Sequence, residues 1–128
     1  MELIRIYQCF CDATRLRIIH LLTRRPLCVC HFQEVIGLPQ VNVSQHLAYL
    51  RKAGLVEFER AQTWKIYRII YPCPPELEVN LKALVECAKF DPTFKQDSIR
   101  LREILKGSRF SACVRIRPAR RLIASHAP

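Results

Sequence analysis

Two cysteines one residue apart, Cys28 and Cys30 in the run Pro26-Leu27-Cys28-Val29-Cys30-His31-Phe32, are the side chains best suited to chemistry in this chain. A thiolate is a soft ligand and favours thiophilic ions, among which three-coordinate trivalent arsenic takes two or three sulfurs. The apolar periodicity places the pair at the start of a helix over about 28–36. In a regular helix residues i and i+2 lie about 200° apart, at ~100° per residue, so the two sulfurs are expected to converge on one ion only by distorting the first turn. Binding would then cost helical structure and tilt whatever packs on that helix. The competing reading takes both cysteines as small buried hydrophobes, a common state for free cysteine.

A third sulfur is sought among Cys9, Cys11 and Cys87, with Cys73 and Cys113 as further candidates, in the same chain or across a dimer; spacing leaves the choice open. Cys9 and Cys11 read equally well as core residues, and His31 is expected to face solvent. Seven cysteines, an odd number with no secretory segment ahead of the first amphipathic pattern, predict free thiols in a reducing cytoplasm. A disulfide switch on Cys28/Cys30 or Cys9/Cys11 is the alternative use of these thiols. No Cys-x-x-Cys pair, phosphate-cradling glycine loop, paired catalytic carboxylates or nucleophile elbow is present, so the chain is expected not to be an enzyme.

The elements that must hold the cysteines are punctuated by three glycines. Gly37, Gly54 and Gly107 each close a stretch of helical periodicity and are expected as left-handed residues just past helix ends. Leu3, Ile4, Ile6, Tyr7 and Phe10 form an apolar stripe; Asp12 can cap a second helix that buries Leu16, Ile19 and Leu22 and stops before Pro26. After Gly37, the segment 39–53 buries Val43, Leu47 and Leu50 and turns a polar, basic side outward. Residues 55–59 and 64–69 change to strand character around a polar turn, giving a β-hairpin. Pro72-Cys73-Pro74-Pro75 breaks the chain, a helix follows over about 76–89, and Asp91-Pro92 starts another; beyond Gly107 no element is expected. No apolar run approaches the roughly 18 residues needed to span a bilayer, since Arg15, Arg17 and His20 interrupt the longest candidate.

The net charge of +10 is unevenly spread. Fifteen basic and eleven acidic residues leave +4 on residues 1–105, while the six remaining basic residues from Lys106 onward, with no acid among them, add +6. The sequence pI near 9.7 fits a partner that is a polyanion. Residues 1–105 are read as one domain, and 106–128 as a basic, disordered tail.

Two short helices joined by a glycine-containing turn and followed by a hairpin are the parts of a winged helix-turn-helix, a mainly α (α+β) fold. The runs Cys9-Phe10-Cys11-Asp12-Ala13-Thr14-Arg15-Leu16-Arg17-Ile18-Ile19, Leu27-Cys28-Val29-Cys30, Gln40-Val41-Asn42-Val43-Ser44-Gln45-His46-Leu47 and Leu50-Arg51-Lys52-Ala53-Gly54-Leu55-Val56 resemble the ArsR/SmtB family of metal-responsive repressors, over residues 3 to about 70. The resemblance implies a homodimeric repressor that leaves its DNA operator on binding a metal or metalloid. The two-cysteine signature is similar to the arsenite and antimonite branch, with Cys28 and Cys30 as ligands and cadmium or lead as alternative inducers. The chain departs from the family pattern at Pro26, His31 and Gln33, where an acidic residue, an aspartate and often a third cysteine are usual. The 76–89 helix also lacks the Asp and His residues of the zinc-sensing branch.

For DNA, the exposed side of the 39–53 helix offers Gln40, Asn42, Ser44, Gln45 and His46, types that hydrogen-bond base edges or phosphates. Gln40, Asn42 and Gln45 are the expected base readers. Arg51, with Arg60, Gln62, Thr63 and Lys65 at the wing, suits phosphate or minor-groove contact, and Trp64 is expected in the hairpin core. A two-fold dimer places its reading helices about one DNA turn apart, ~34 Å, and so calls for an inverted-repeat operator.

Overall fold

The computed structural model describes residues 1–107 and shows six helices and a small sheet among them. In chain order these are α1 (Leu3–Cys9), α2 (Ala13–Leu22), β1 (Leu27–Cys28), α3 (Val29–Ile36), α4 (Gln40–Lys52), β2 (Val56–Ala61), β3 (Trp64–Ile69), α5 (Pro75–Ala88) and α6 (Pro92–Lys106). The expected basic tail and Cys113 lie outside the described residues.

The helix boundaries follow local chemistry. Asp12 accepts the Arg15 N–H at 2.9 Å and starts α2, and Asp91 does the same for Thr93 at 2.9 Å ahead of Pro92. Gly37 ends α3 at φ 79°, its N–H reaching the Gln33 carbonyl at 2.9 Å, and so allows the sharp turn into α4. Gly54 ends α4 at φ 84°, with Leu55 N–H returning to the Leu50 carbonyl and Gly54 N–H to that of Arg51, both at 3.0 Å. Gly107 departs from expectation: at φ −77° and ψ 143° it leaves α6 in an extended conformation any residue could adopt.

β2 and β3 form the expected hairpin, in register from Val56 opposite Ile69 to Ala61 opposite Trp64. The two-residue turn Gln62-Thr63 carries no glycine, and Gln62 itself takes the left-handed conformation at φ 58° that such turns need. A third strand, absent from the sequence reading, joins the other edge of β3: in β1, Leu27 pairs with Tyr67 and Cys28 with Ile66, giving the order β1-β3-β2.

The core gathers Ile18, Ile19, Leu21 and Leu22 of α2 with Phe32, Val35, Leu47, Leu50, Leu77 and Leu81, all essentially inaccessible. A bidentate ion pair, Arg17 to Asp97 with both contacts at 2.8 Å, ties α2 to α6. The α1 stripe divides: Ile6 and Cys9 enter the core, whereas Leu3, Ile4 and Tyr7 are 50 %, 70 % and 52 % exposed.

Candidate metal and nucleic-acid site

Cys28 is not the first residue of a helix but the last of β1. Its backbone is extended, φ −97° and ψ 168°, because β3 holds it opposite Ile66, and α3 begins only at Val29 with Cys28 as its N-cap. This overturns the expectation that the two sulfurs diverge. With Cys28 outside the helical repeat and Cys30 in the first turn, the Cα atoms are 5.5 Å apart and the two Sγ atoms are in direct contact, with no unwinding needed. Cys28 is buried and Cys30 partly so, against Ile66, Ala61 and Trp64 of the wing.

His31 is also placed otherwise than expected. It is buried, 1 % exposed, and its Nδ1 accepts the Cys28 N–H at 3.0 Å while lying 3.4 Å from Cys28 Sγ. As the third residue of α3 it returns its side chain to the N-cap backbone, half of a capping box, and that bond draws the ring inward. An imidazole accepting at Nδ1 carries its proton on Nε2. Burial, aided by the Arg25 charge, lowers its pKa to about 4, so near neutral pH the ring is uncharged. The donor atoms of Cys28, Cys30 and His31 all lie within 4.8 Å of one another.

The other candidate sulfurs are dispersed. Cys9 is buried at the end of α1, where loss of hydration raises its pKa; Cys11 and Cys87 are exposed. Cys73 is pushed up to about 11 by burial and by Glu78 and Glu76, which disfavours the thiolate a soft ion needs. Among the described residues no cluster of three donors includes any of these four.

The sulfur pair opens into a cleft of about 560 Å³ between α3, α4 and the hairpin. Gln40, Ser44 and Arg51 of α4 line one wall, and Arg60, Thr63 and Lys65 of the wing line another. Of the residues expected to contact DNA, Gln40, Ser44, Arg51, Arg60, Thr63 and Lys65 thus face the same space as Cys28 and Cys30. Asn42 and Gln45 are exposed on α4 but outside this lining; His46 is half-buried. Phe58 organises the cationic side: Arg51 stacks on its ring at 4.4 Å and Lys65 at 5.0 Å from the centroid. The sequence weighs His31 as a ligand but favours a solvent-facing position, and it does not single out Phe58. A histidine three residues after an N-cap position was the available signal for the first; the second depends on which face of β2 turns toward α4.

A polar helix face and a cationic wing thus flank the thiol pair. Residues 12–57 match the family described as "Bacterial regulatory protein, arsR family". The arsenic resistance transcriptional regulator ArsR1 of Pseudomonas putida is 33 % identical over 100 residues, covering 77 % of either chain. The chain belongs to the arsR family. The arsenical resistance operon repressor of Escherichia coli is 36 % identical over 67 residues, 52 % of this chain and 57 % of that protein. Among solved structures, HlyU from Vibrio cholerae superposes with a TM-score of 0.60 at 25 % identity, over 66 % of this chain and 88 % of that one. This arsR-family chain is therefore a winged helix-turn-helix regulator, mostly helical with an antiparallel wing. No helix among its described residues is long and apolar enough to cross a membrane.

Proposed function

We propose that this chain is a transcriptional repressor that binds an inverted-repeat operator as a homodimer and lets go when Cys28 and Cys30 capture trivalent arsenic or antimony. One observation carries the reading: the sulfur pair lines a single cleft with Gln40, Ser44, Arg51, Arg60 and Lys65, residues expected to contact bases or phosphates. As thiols, the two cysteines each displace one hydroxide from arsenous acid, forming two As–S bonds and releasing two waters, with no change in oxidation state. His31 fixes the Cys28 backbone, and β3 carries any movement of Cys28 through its partner Ile66 to the neighbouring Lys65. Inducer and operator then compete for one conformation of the wing, a population shift that follows from their unequal affinity for its two states. The third ligand comes from Cys11 or Cys87, the exposed candidates, across the dimer, or from solvent, and not from Cys9, which is closed in the core.

Homodimerisation is supported by the outward apolar residues of α1 and α5. Leu3, Ile4 and Tyr7 stand beside α5, whose Val79 is 66 % exposed, and α1 packs on α5. Residues 1–105 form the functional domain in this reading.

The test is operator release, followed by fluorescence anisotropy on a duplex selected by the protein from a random library, with arsenite, antimonite, cadmium, lead and zinc. Arsenite and antimonite release is expected for the wild type and is expected to vanish in Cys28→Ser and Cys30→Ser while DNA affinity persists. Release by cadmium or lead alone reassigns the ion. A second reading, a thiol–disulfide switch, is favoured by the direct contact of the two sulfurs; release by peroxide and not by arsenite selects it.

A further inference from the structure

A second cleft, of about 360 Å³, lies between α2, α5 and α6, away from the cysteine pair. Its volume falls within the range of roughly 300–1,000 Å³ typical of small-molecule sites. We propose that it binds a small amphiphilic carboxylate, an organic anion with an apolar body.

Two halves of the lining specify that chemistry. Val85 and Ala88 from α5 and Phe94 and Ile99 from α6 supply apolar walls. At the base sits His20, 2 % exposed, its ring edge-on to Phe94 at 5.2 Å and its Nδ1 without a hydrogen-bond partner. A polar atom buried in this way costs free energy unless something satisfies it. The rim is cationic: Lys95 and Arg102, seven residues apart and so on one side of α6, stand with Arg24 and Lys89. No lining residue is acidic, and no acidic group among the described residues pairs with Lys95 or Arg102, whereas Lys89 engages Glu86 at 3.1 Å.

Charge selects the occupant. Metal cations are repelled by this rim, and the chain's own residues 108–128, which carry five arginines and no acid, are mismatched to it. A carboxylate gains charge-assisted hydrogen bonds at the rim, and its hydrocarbon covers Phe94 and Val85. α6 also packs on α3, the helix that carries Cys30, so the occupant bears on the element beside the sensing pair.

The experiment uses the full chain labelled with 15N, titrated with octanoate and, separately, with octanol of the same chain length. Saturable shifts at the amides of Val85, Ala88, Phe94 and Ile99 are expected, with octanoate at least roughly tenfold tighter than octanol. Charge reversal in Lys95→Glu/Arg102→Glu is expected to abolish that preference, while Lys52→Glu at the end of α4, outside the cleft lining, preserves it. Absence of shifts at the four amides, or equal affinity for octanol and octanoate, overturns the proposal. Should the double variant lose its fold, the wild-type comparison of acid with alcohol decides alone.

Discussion

His31 Nδ1 lies 3.0 Å from the amide nitrogen of Cys28 and 3.4 Å from its sulfur, so one neutral ring both caps α3 and fixes the first cysteine of the pair. His31→Ala removes the acceptor and strands a buried N–H, at a cost of roughly 1–3 kcal/mol. Urea denaturation is expected to show that loss, and arsenite titration of the operator complex a weaker response than wild type. Unchanged values in both would remove His31 from the site.

The two stacked cations over Phe58 are expected to act on DNA differently from the polar face of α4. Arg51→Ala and Lys65→Ala should weaken binding to every sequence and lower the salt slope by about one each, whereas Gln45→Ala should chiefly relax sequence preference. Affinities measured at several salt concentrations on operator and scrambled duplexes separate the two classes.

Asp97 is buried at 1 % exposure and holds Arg17 through both oxygens, joining α6 to α2. Asp97→Ala leaves the guanidinium unpaired and partly desolvated. Because Arg17 retains some access to water, the expected loss is roughly 2–4 kcal/mol, at or below the usual range for a broken buried pair. The double variant Arg17→Met/Asp97→Leu should recover most of it in the same unfolding assay.

Burial lowers the His20 pKa from 6.5 to about 4, and the neighbouring Arg24 charge adds to the effect. The unfolded chain binds the proton first, so between pH 6.5 and 4 it holds more protons than the native state and stability rises with pH. About 3 kcal/mol should be present above pH 6.5 and lost as the pH falls through about 4. His31 titrates in the same direction. His20→Phe should therefore reduce the slope of urea midpoint against pH without abolishing it; an unaltered slope would contradict the assignment.

Gly37 has φ 79°, and nothing lies within 4 Å of a Cβ built there. Gly37→Ala therefore meets backbone strain with no steric clash, and a loss of about 1–2 kcal/mol is expected. Thermal unfolding checks it, and DNA affinity measured well below the melting temperature should stay close to wild type.

Much of this architecture is legible in one dimension because its signals are local. Asp12 and Asp91-Pro92 announce helix starts, Gly37 and Gly54 announce ends, and the change of period after Gly54 announces the hairpin. Gly107 misled because the residue type permits a left-handed conformation without requiring one. The site was harder to read. Cys28 and Cys30 were recognisable by type, but their convergence depends on the pairing of Cys28 with Ile66, a contact across almost forty residues that a two-residue strand leaves no periodicity to reveal. His31 looked solvent-facing because polar helix residues usually are, and a non-local cavity together with a capping bond reversed that. The split of the α1 stripe into buried Ile6 and exposed Ile4 likewise depends on where α5 lies, which the stripe alone does not encode.

The edge pairing of β1 with β3 also bears on how such a protein can diversify. Cys28 pairs with Ile66 on one edge of β3, and the adjacent Lys65 pairs with Arg60 on the other, so in the proposed reading the thiol site and the wing share a strand and neither is a separable cassette. Grafting the thiol pair onto an unrelated winged scaffold without its partner strand would transplant the atoms but not their meeting point.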